Sequence, residues 1–250
     1  MNRYYKLLKD DLSSMSSKEN FWYWIFPYLL LIILMIFYFL GTPFLVELVV
    51  PNINREFGLL ENIQLVFILG IIIMSFYVVF TDHVLLQKLG FLILGLLAIF
   101  IFLEEMDYGD HFIKYFTDGD QRSIYFEKFG AVNVHNQEGD ILTYMRRTPY
   151  VIIFILFTIL PFVNKKYFHP IISYIIPKPR MALMIILFVF AYLSPRLPVD
   201  YKIFEVGSLG IGDNIGEFTE MIVYYIFFIY VYHIVFDKKW SYFIGSKNKS

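Results

Sequence analysis

Six apolar stretches follow one another along the chain, separated by segments that carry most of the charge. An α-helix needs about 20 residues to cross the hydrocarbon core of a membrane. The pattern predicts six such spans, at residues 21–40, 60–80, 84–103, 143–163, 181–197 and 218–236. Several of the later spans reach this length only by including polar residues such as Glu220. We therefore expect those side chains to lie just below the headgroups or to line a wet cavity.

The spans predict an all-α fold, a polytopic transmembrane helix bundle with about six spans. We expect residues 1–20 to form a leader, 21–236 the bundle and 237–250 a tail. The first span is too long and too aromatic for a signal peptide, so we expect it to be retained. The outer loop at 104–148 is much longer than the other connections, and we expect it to form short helices on the bundle mouth.

Composition and charge agree with an integral membrane protein. Apolar residues make up 58% of the chain and charged residues only 17%, and the mean hydropathy is +0.59. The net charge of -1 provides no general attraction for nucleic acid. Because the chain has no cysteine, disulfides, thiolate metal ligands and cysteine nucleophiles are excluded. Thirteen Lys and Arg lie in segments on the side of the N-terminus and eight on the other side, which predicts that both termini are cytoplasmic.

Most carboxylates near the spans lie at three span ends that alternation places on the same, outer side. They are Glu61, Glu104, Glu105, Asp107, Glu217 and Glu220. A charge near hydrocarbon is costly and is usually kept for function. This side of the bundle is therefore the predicted functional site.

Helix-end chemistry explains part of this set without any function. An acid in the first turn, such as Glu217, is stabilised by the helix dipole. Glu220 lies deeper and is followed at once by apolar residues, so we predict a functional role for it. At helical spacing Glu217, Glu220 and Tyr224 form one stripe that leads into the bundle. If the third span continues past residue 103, Glu104 and Tyr108 also share a face.

The head of the second span and the long loop add amides and an imidazole. Glu61 and Gln64 are three residues apart and share a helical face. Asn133, His135 and Asn136 lie in the loop, which can fold over the acidic span ends. A lone histidine is more often structural than a ligand, but this one lies between two asparagines. We therefore keep it as a candidate site residue.

Carboxylates together with imidazole and amide groups can support three kinds of chemistry. They can hold a divalent cation such as Ca²⁺, Mg²⁺, Mn²⁺ or Zn²⁺. They can act as general acid and base without a metal, or bind and release protons or Na⁺ during transport. The sequence contains no H-E-x-x-H, G-x-S-x-G or phosphate-binding P-loop motif.

Three short patterns resemble an uncharacterised family of bacterial polytopic membrane proteins. They are E-N-x-Q at residues 61–64, E-E-x-x-aromatic-G at 104–109 and N-x-H-N at 133–136. Asp110 departs from the pattern, in which glutamine follows the glycine. The resemblance groups these positions and implies a bacterial cytoplasmic membrane, but it implies no activity. The chain is also similar to ceramidase-type membrane hydrolases, although it lacks their paired histidines and has one span fewer.

These observations predict a membrane-embedded enzyme that acts on a lipid or lipid-linked substrate at an outward-facing site. The predicted catalytic residues are Glu105, His135 and Glu220. The predicted ligands of a divalent cation, the candidate cofactor, are Glu104, Glu105, His135 and Glu220. The predicted substrate-binding or orienting residues are Glu61, Gln64, Tyr108, Asn133 and Asn136.

Two other functions stay open at this stage. The first is an ion-coupled transporter or channel subunit, and the second is a non-catalytic accessory protein whose aromatic spans bind partner helices. In each case the expected partners are membrane lipid and other helices, including a second copy of this chain, and no nucleic acid.

Overall fold

The computed structural model describes residues 3–40, 42–51, 58–82, 84–106, 148–163, 170–203 and 215–237. Its regular structure is helical, and these described residues form no strand. The prediction of an all-α polytopic bundle is therefore confirmed.

Five helices among the described residues are long and apolar enough to cross a membrane. They are spans 1, 2, 3, 5 and 6, at Ser17–Leu40, Leu59–Thr81, Leu85–Glu105, Pro179–Asp200 and Gly216–Phe236. A shorter apolar helix, Thr148–Phe162, occupies the place of the predicted fourth span, and we call it span 4. In the described part of the chain, three further helices lie outside the spans, at Arg3–Ser13, Pro43–Val49 and Pro170–Ile175.

Several spans combine regular α-helix with wider or narrower turns. Regular α-helix covers Ser17–Asn20, Phe26–Leu40, Met184–Leu193, Arg196–Asp200 and Gly216–Tyr232. Wider π turns cover Phe21–Ile25, Ile155–Ile159 and His233–Asp237, and narrower 3₁₀ turns cover Leu160–Phe162 and Pro179–Leu183. Pro27 and Pro161 each follow shortly after a π turn. Proline cannot donate to the preceding turn and clashes with it, which explains why the helix widens there.

Contacts place the end of span 4 and the start of span 5 beside the N-terminal helix, at one end of the bundle. At one end, Arg180 at the start of span 5 donates to Asp11 of the N-terminal helix. At the same end, the ring of Phe162 at the end of span 4 packs edge-on against Tyr4. We call this end the N-terminal side and the other end the distal side. Which side faces the cytoplasm stays a prediction.

Arg180 attaches the N-terminal helix to the bundle. Arg180 is 3% exposed, and its guanidinium donates to Asp11 at 2.7 Å and 3.0 Å and to Glu19 at 2.6 Å. Two carboxylates therefore compensate one buried guanidinium. A buried charge needs such partners, because leaving it without them is strongly destabilising.

Span 6 is the central helix of the bundle. In its most apolar 18-residue stretch 67% of the residues are buried, against 39% or less in the other four long spans. Its aromatic side chains pack on two neighbours, with Phe218 against Tyr38 of span 1 and Tyr225 against Phe67 of span 2. The other spans expose apolar side chains such as Phe80, which suits contact with lipid. Two polar side chains of span 6, Thr219 and His233, are fully buried.

The contact between spans 2 and 6 gives a first prediction. A methyl group at Gly70 would lie 2.5 Å from the Phe228 ring, so Gly70→Ala should force the two helices apart. We expect a loss of about 1–3 kcal/mol in the free energy of unfolding, as for other overpacked cores. Unfolding of the purified protein in mixed detergent micelles, followed by tryptophan fluorescence, measures it.

Gly90→Ala is the matched control, since a methyl group there has no heavy atom within 4 Å among the described residues. It should leave stability unchanged or raise it by about 1 kcal/mol through helix propensity. Equal effects of the two substitutions would contradict the close approach of spans 2 and 6.

Candidate functional site

Among the described residues, three hydrogen bonds join span 6 to spans 2 and 3 near the distal end. The side-chain amide of Gln64 donates from Nε2 to the carboxylate of Glu217 at 3.1 Å and to its backbone carbonyl at 3.3 Å. The hydroxyl of Tyr224 donates to Oε1 of Glu105 at 2.6 Å. Residues far apart in the sequence thus meet at one place in the bundle.

A third carboxylate belongs to the same place. Glu217, Glu220 and Tyr224 share one face of span 6 at i, i+3 and i+7. The carboxylates of Glu105, Glu220 and Glu217 all act electrostatically on the Tyr224 hydroxyl, so all three lie near it. We call Gln64, Glu105, Glu217, Glu220 and Tyr224 the acidic cluster. Since a helix rises 1.5 Å per residue, the cluster extends about 10 Å along span 6, from residue 217 to residue 224.

The helix dipole has opposite effects on two of these carboxylates. Glu217 lies in the first turn of span 6, where the helix dipole stabilises a negative charge. Glu105 is the last residue of span 3, where the dipole disfavours a negative charge. The hydrogen bond that the Tyr224 hydroxyl donates offsets this unfavourable effect on Glu105. The negative charge of Glu217 is therefore stabilised by its own helix, whereas that of Glu105 depends on the hydrogen bond from span 6.

Arg196, at the distal end of span 5, brings a positive charge close to the cluster. Its guanidinium donates to the backbone oxygen of Tyr192 at 2.8 Å and to Thr219 at 3.3 Å, and it stacks 3.9 Å above the Tyr192 ring. The hydroxyl of Tyr150 in span 4 interacts electrostatically with both Glu220 and Arg196. Spans 4 and 5 therefore also lie near the cluster.

Within the described residues, one buried polar atom of the cluster lacks a hydrogen-bond partner. Gln64 is 1% exposed, and its Oε1 has no hydrogen-bond partner among the described residues. Both groups next to its Nε2 are acceptors, which fixes the orientation of the amide. The unsatisfied atom is therefore the acceptor, at a buried position beside Glu217.

The structure places some of the predicted site residues in this cluster and others nearby. Gln64, Glu105 and Glu220 come together, while Glu61 is half-buried at the start of span 2 and Glu104 is buried at the end of span 3. The candidates Tyr108, Asn133, His135 and Asn136 lie outside the described residues.

Two members of the cluster were absent from the predicted site. They are Glu217 and Tyr224. The helix dipole alone accounts for an acid at Glu217, and the sequence predicts Tyr224 only as part of a polar stripe on span 6. The helical spacing of that stripe was a signal for both. Arg196 and Tyr150 gave no comparable signal, because their proximity depends on how spans 4 and 5 pack.

The described part of the chain does not support the predicted metal site. Within it, no group of three or more His, Cys, Asp or Glu side chains is arranged to hold a metal ion. Two of the three carboxylates of the cluster instead accept hydrogen bonds, Glu217 from Gln64 and Glu105 from Tyr224.

Comparison of the chain with models of protein families, with curated proteins and with solved structures finds no match. The resemblance to a bacterial membrane family therefore stays a prediction.

The bond between spans 3 and 6 gives a second prediction. We expect Glu105→Ala and Tyr224→Phe to be coupled by about 1.5–3 kcal/mol in a double-mutant cycle of unfolding free energies, since the bond joins a donor to a charged acceptor. The pair Glu104→Ala and Tyr224→Phe is the control and should be additive within about 0.5 kcal/mol. Coupling as large in the control as in the test pair would show that the cycle does not report this contact.

Proposed function

We propose that this protein is a membrane-embedded enzyme that acts on a lipid or lipid-linked substrate at its distal side. In this proposal Glu105 and Glu220 are the acid–base groups, and Gln64 and Tyr224 orient the carboxylates next to them. The observation that supports it best is that ionisable groups gather at one end of the central helix.

The layer beneath the cluster favours a site that opens to one side. Going from Gln64 towards the N-terminal side, the buried residues of span 2 include Phe67 and Ile71. At a similar level, span 6 contributes Ile226 and span 4 contributes Phe157, both fully buried. Such apolar packing opposes a continuous water-filled path, so it favours an enzyme over a channel.

The chemistry of the cluster suits proton transfer. Carboxylates held near one another share protons, so that one can be a base while its neighbour is an acid. The bond between Tyr224 and Glu105 gives one carboxylate a different environment from the others, which is how two carboxylates acquire separate roles. General acid–base catalysis of this kind contributes about 10²–10⁴-fold to a rate.

The position of the cluster indicates the substrate class. Its residues lie on helices that are long and apolar enough to cross a membrane, at their distal ends. A substrate that reaches them with its headgroup can keep its acyl chains against the exposed apolar faces of the spans. A lipid or lipid-linked molecule meets this requirement.

Ion-coupled transport is the second candidate, and one observation favours it. Ser75, Gln87 and His233 are buried nearer the N-terminal side, so polar groups lie on both sides of the apolar layer. A transporter would use the two sets in turn and would open that layer transiently. The acidic cluster would then bind a proton or Na⁺ instead of performing chemistry.

The proposal predicts loss of turnover when a cluster carboxylate is neutralised. Protein reconstituted into vesicles of a polar lipid extract should convert a lipid component, as followed by mass spectrometry. Glu220→Gln and Glu105→Gln should each reduce that conversion by about 10²-fold or more. Glu47→Gln is the control, because Glu47 is exposed and lies outside the cluster.

Two results would contradict an enzyme. One is wild-type protein that converts no lipid but carries cation flux across the same vesicles, which would establish the transporter instead. The other is conversion that survives both cluster substitutions unchanged.

A further inference from the structure

The guanidinium of Arg196 carries more hydrogen-bond donors than the described residues accept. Arg196 is half-buried. Its Nη1 donates to the backbone oxygen of Tyr192 and to Oγ1 of Thr219, and within the described part of the chain Nε and Nη2 have no acceptor. An arginine side chain has five N–H donors, of which two belong to Nη1. The three on Nε and Nη2 are therefore open to a ligand.

Three contacts hold this guanidinium in one orientation. Its Cζ lies 3.9 Å from the centroid of the Tyr192 ring, on which the group stacks. Nη1 is held at 2.8 Å from the Tyr192 oxygen and at 3.3 Å from Thr219. Thr219 is itself fully buried, and its hydroxyl donates to the backbone oxygen of Ala191 at 3.3 Å. A group that is positioned before its ligand arrives loses less entropy on binding.

The open edge of the guanidinium matches an oxyanion. The donors of a guanidinium form a rigid planar fork that fits two oxygens of a phosphate or a carboxylate at once. Arg196 lies near the distal end of span 5, and the side chains of Leu193 and Leu197 close to it in the sequence are exposed and apolar. At the end of a membrane span, the oxyanion found beside acyl chains is the phosphate of a phospholipid.

A simpler role for an arginine at the end of a span is to reach out to the headgroups with its flexible stem. The contacts of Arg196 do not fit that role, because its guanidinium folds back on its own helix and bonds to span 6. The bond to Thr219 also holds it one residue along span 6 from Glu220. A phosphate bound at Arg196 would therefore lie near one of the proposed acid–base groups.

We propose that Nε and Nη2 of Arg196 bind two oxygens of a phosphate group in the headgroup of the substrate. This inference rests on the proposed function and narrows its substrate from lipids in general to those that carry a phosphate ester. A soluble phosphate ester has the same chemistry, and the experiment below separates the two sources.

The test compares two lipids that differ in the phosphate. The full-length protein, purified in detergent, is titrated with phosphatidylglycerol or with diacylglycerol of the same acyl chains, and binding is read from the rise in the temperature of unfolding. We expect the phospholipid to bind about tenfold more tightly or better. Equal binding of the two lipids would overturn the inference.

Glycerophosphoglycerol, which has the phosphate but no acyl chains, is the soluble arm. If it does not stabilise the protein, the phosphate belongs to a lipid, as the proposed function requires. If it stabilises the protein as well as the phospholipid does, the site takes a soluble phosphate ester and the lipid substrate is overturned.

Variants of Arg196 assign the preference to the planar fork. Arg196→Lys keeps the positive charge but cannot present two parallel donors, so the preference for the phospholipid should fall by about tenfold. Arg196→Gln removes the charge as well and should lose the preference. Unfolding of each variant without lipid shows whether it is folded. If folded Arg196→Lys binds the phospholipid as tightly as the wild type, the role of the fork is refuted.

Lys202→Gln is the matched control. Lys202 is exposed, lies just beyond span 5 at the same end of the bundle and carries the same charge as Arg196. This variant should keep the full preference for the phospholipid. If it loses the preference as fully as Arg196→Gln, the preference comes from the general positive charge of this end, and Arg196 has no special role.

These measurements do not depend on turnover, so the two proposals can fail separately. A preference for the phospholipid that requires Arg196, without any lipid conversion, would leave the phosphate site standing and overturn the enzyme. Lipid conversion that requires Glu220, without any preference for the phospholipid, would do the reverse.

Discussion

The burial of span 6 among the other spans is the constraint on which the rest of the structure depends. A polar group surrounded by hydrocarbon and protein has no water to bond, so each one must find a partner on a neighbouring helix. At the distal end these partners are Gln64 of span 2 and Glu105 of span 3. At the other end, the carbonyl of Ile234 accepts a hydrogen bond from Tyr174. The acidic cluster therefore forms only when spans 2, 3 and 6 pack against one another.

Charge distribution distinguishes the two ends of the bundle. At the N-terminal side, the buried cation Arg180 has two carboxylates and a serine hydroxyl around it, which makes a closed and compensated group. At the distal side the acidic cluster has three carboxylates. The nearby guanidinium of Arg196 donates to the backbone oxygen of Tyr192 in span 5 and to Thr219. The first arrangement stabilises the fold. The second gathers three carboxylates around Tyr224.

The sequence was sufficient to predict the class of fold, because long apolar runs have few solutions other than membrane-spanning helices. It also indicated the side on which carboxylates gather, since alternation of the spans sets that side. It could not predict that Gln64 bonds to Glu217, which is 153 residues away, because that depends on how each helix is rotated about its axis. The same holds for Arg180 and Asp11. The candidates between residues 107 and 147 stay predictions.

The central claim is that spans 2 and 6 meet at Gln64 and Glu217, and it can be tested directly because the chain has no cysteine. In membranes, a short bifunctional thiol reagent should cross-link the double variant Gln64→Cys, Glu217→Cys efficiently. The double variant Gln87→Cys, Glu217→Cys, with its thiols at opposite ends of the bundle, should not be cross-linked. Efficient cross-linking of the second pair, or none of the first, would contradict this arrangement.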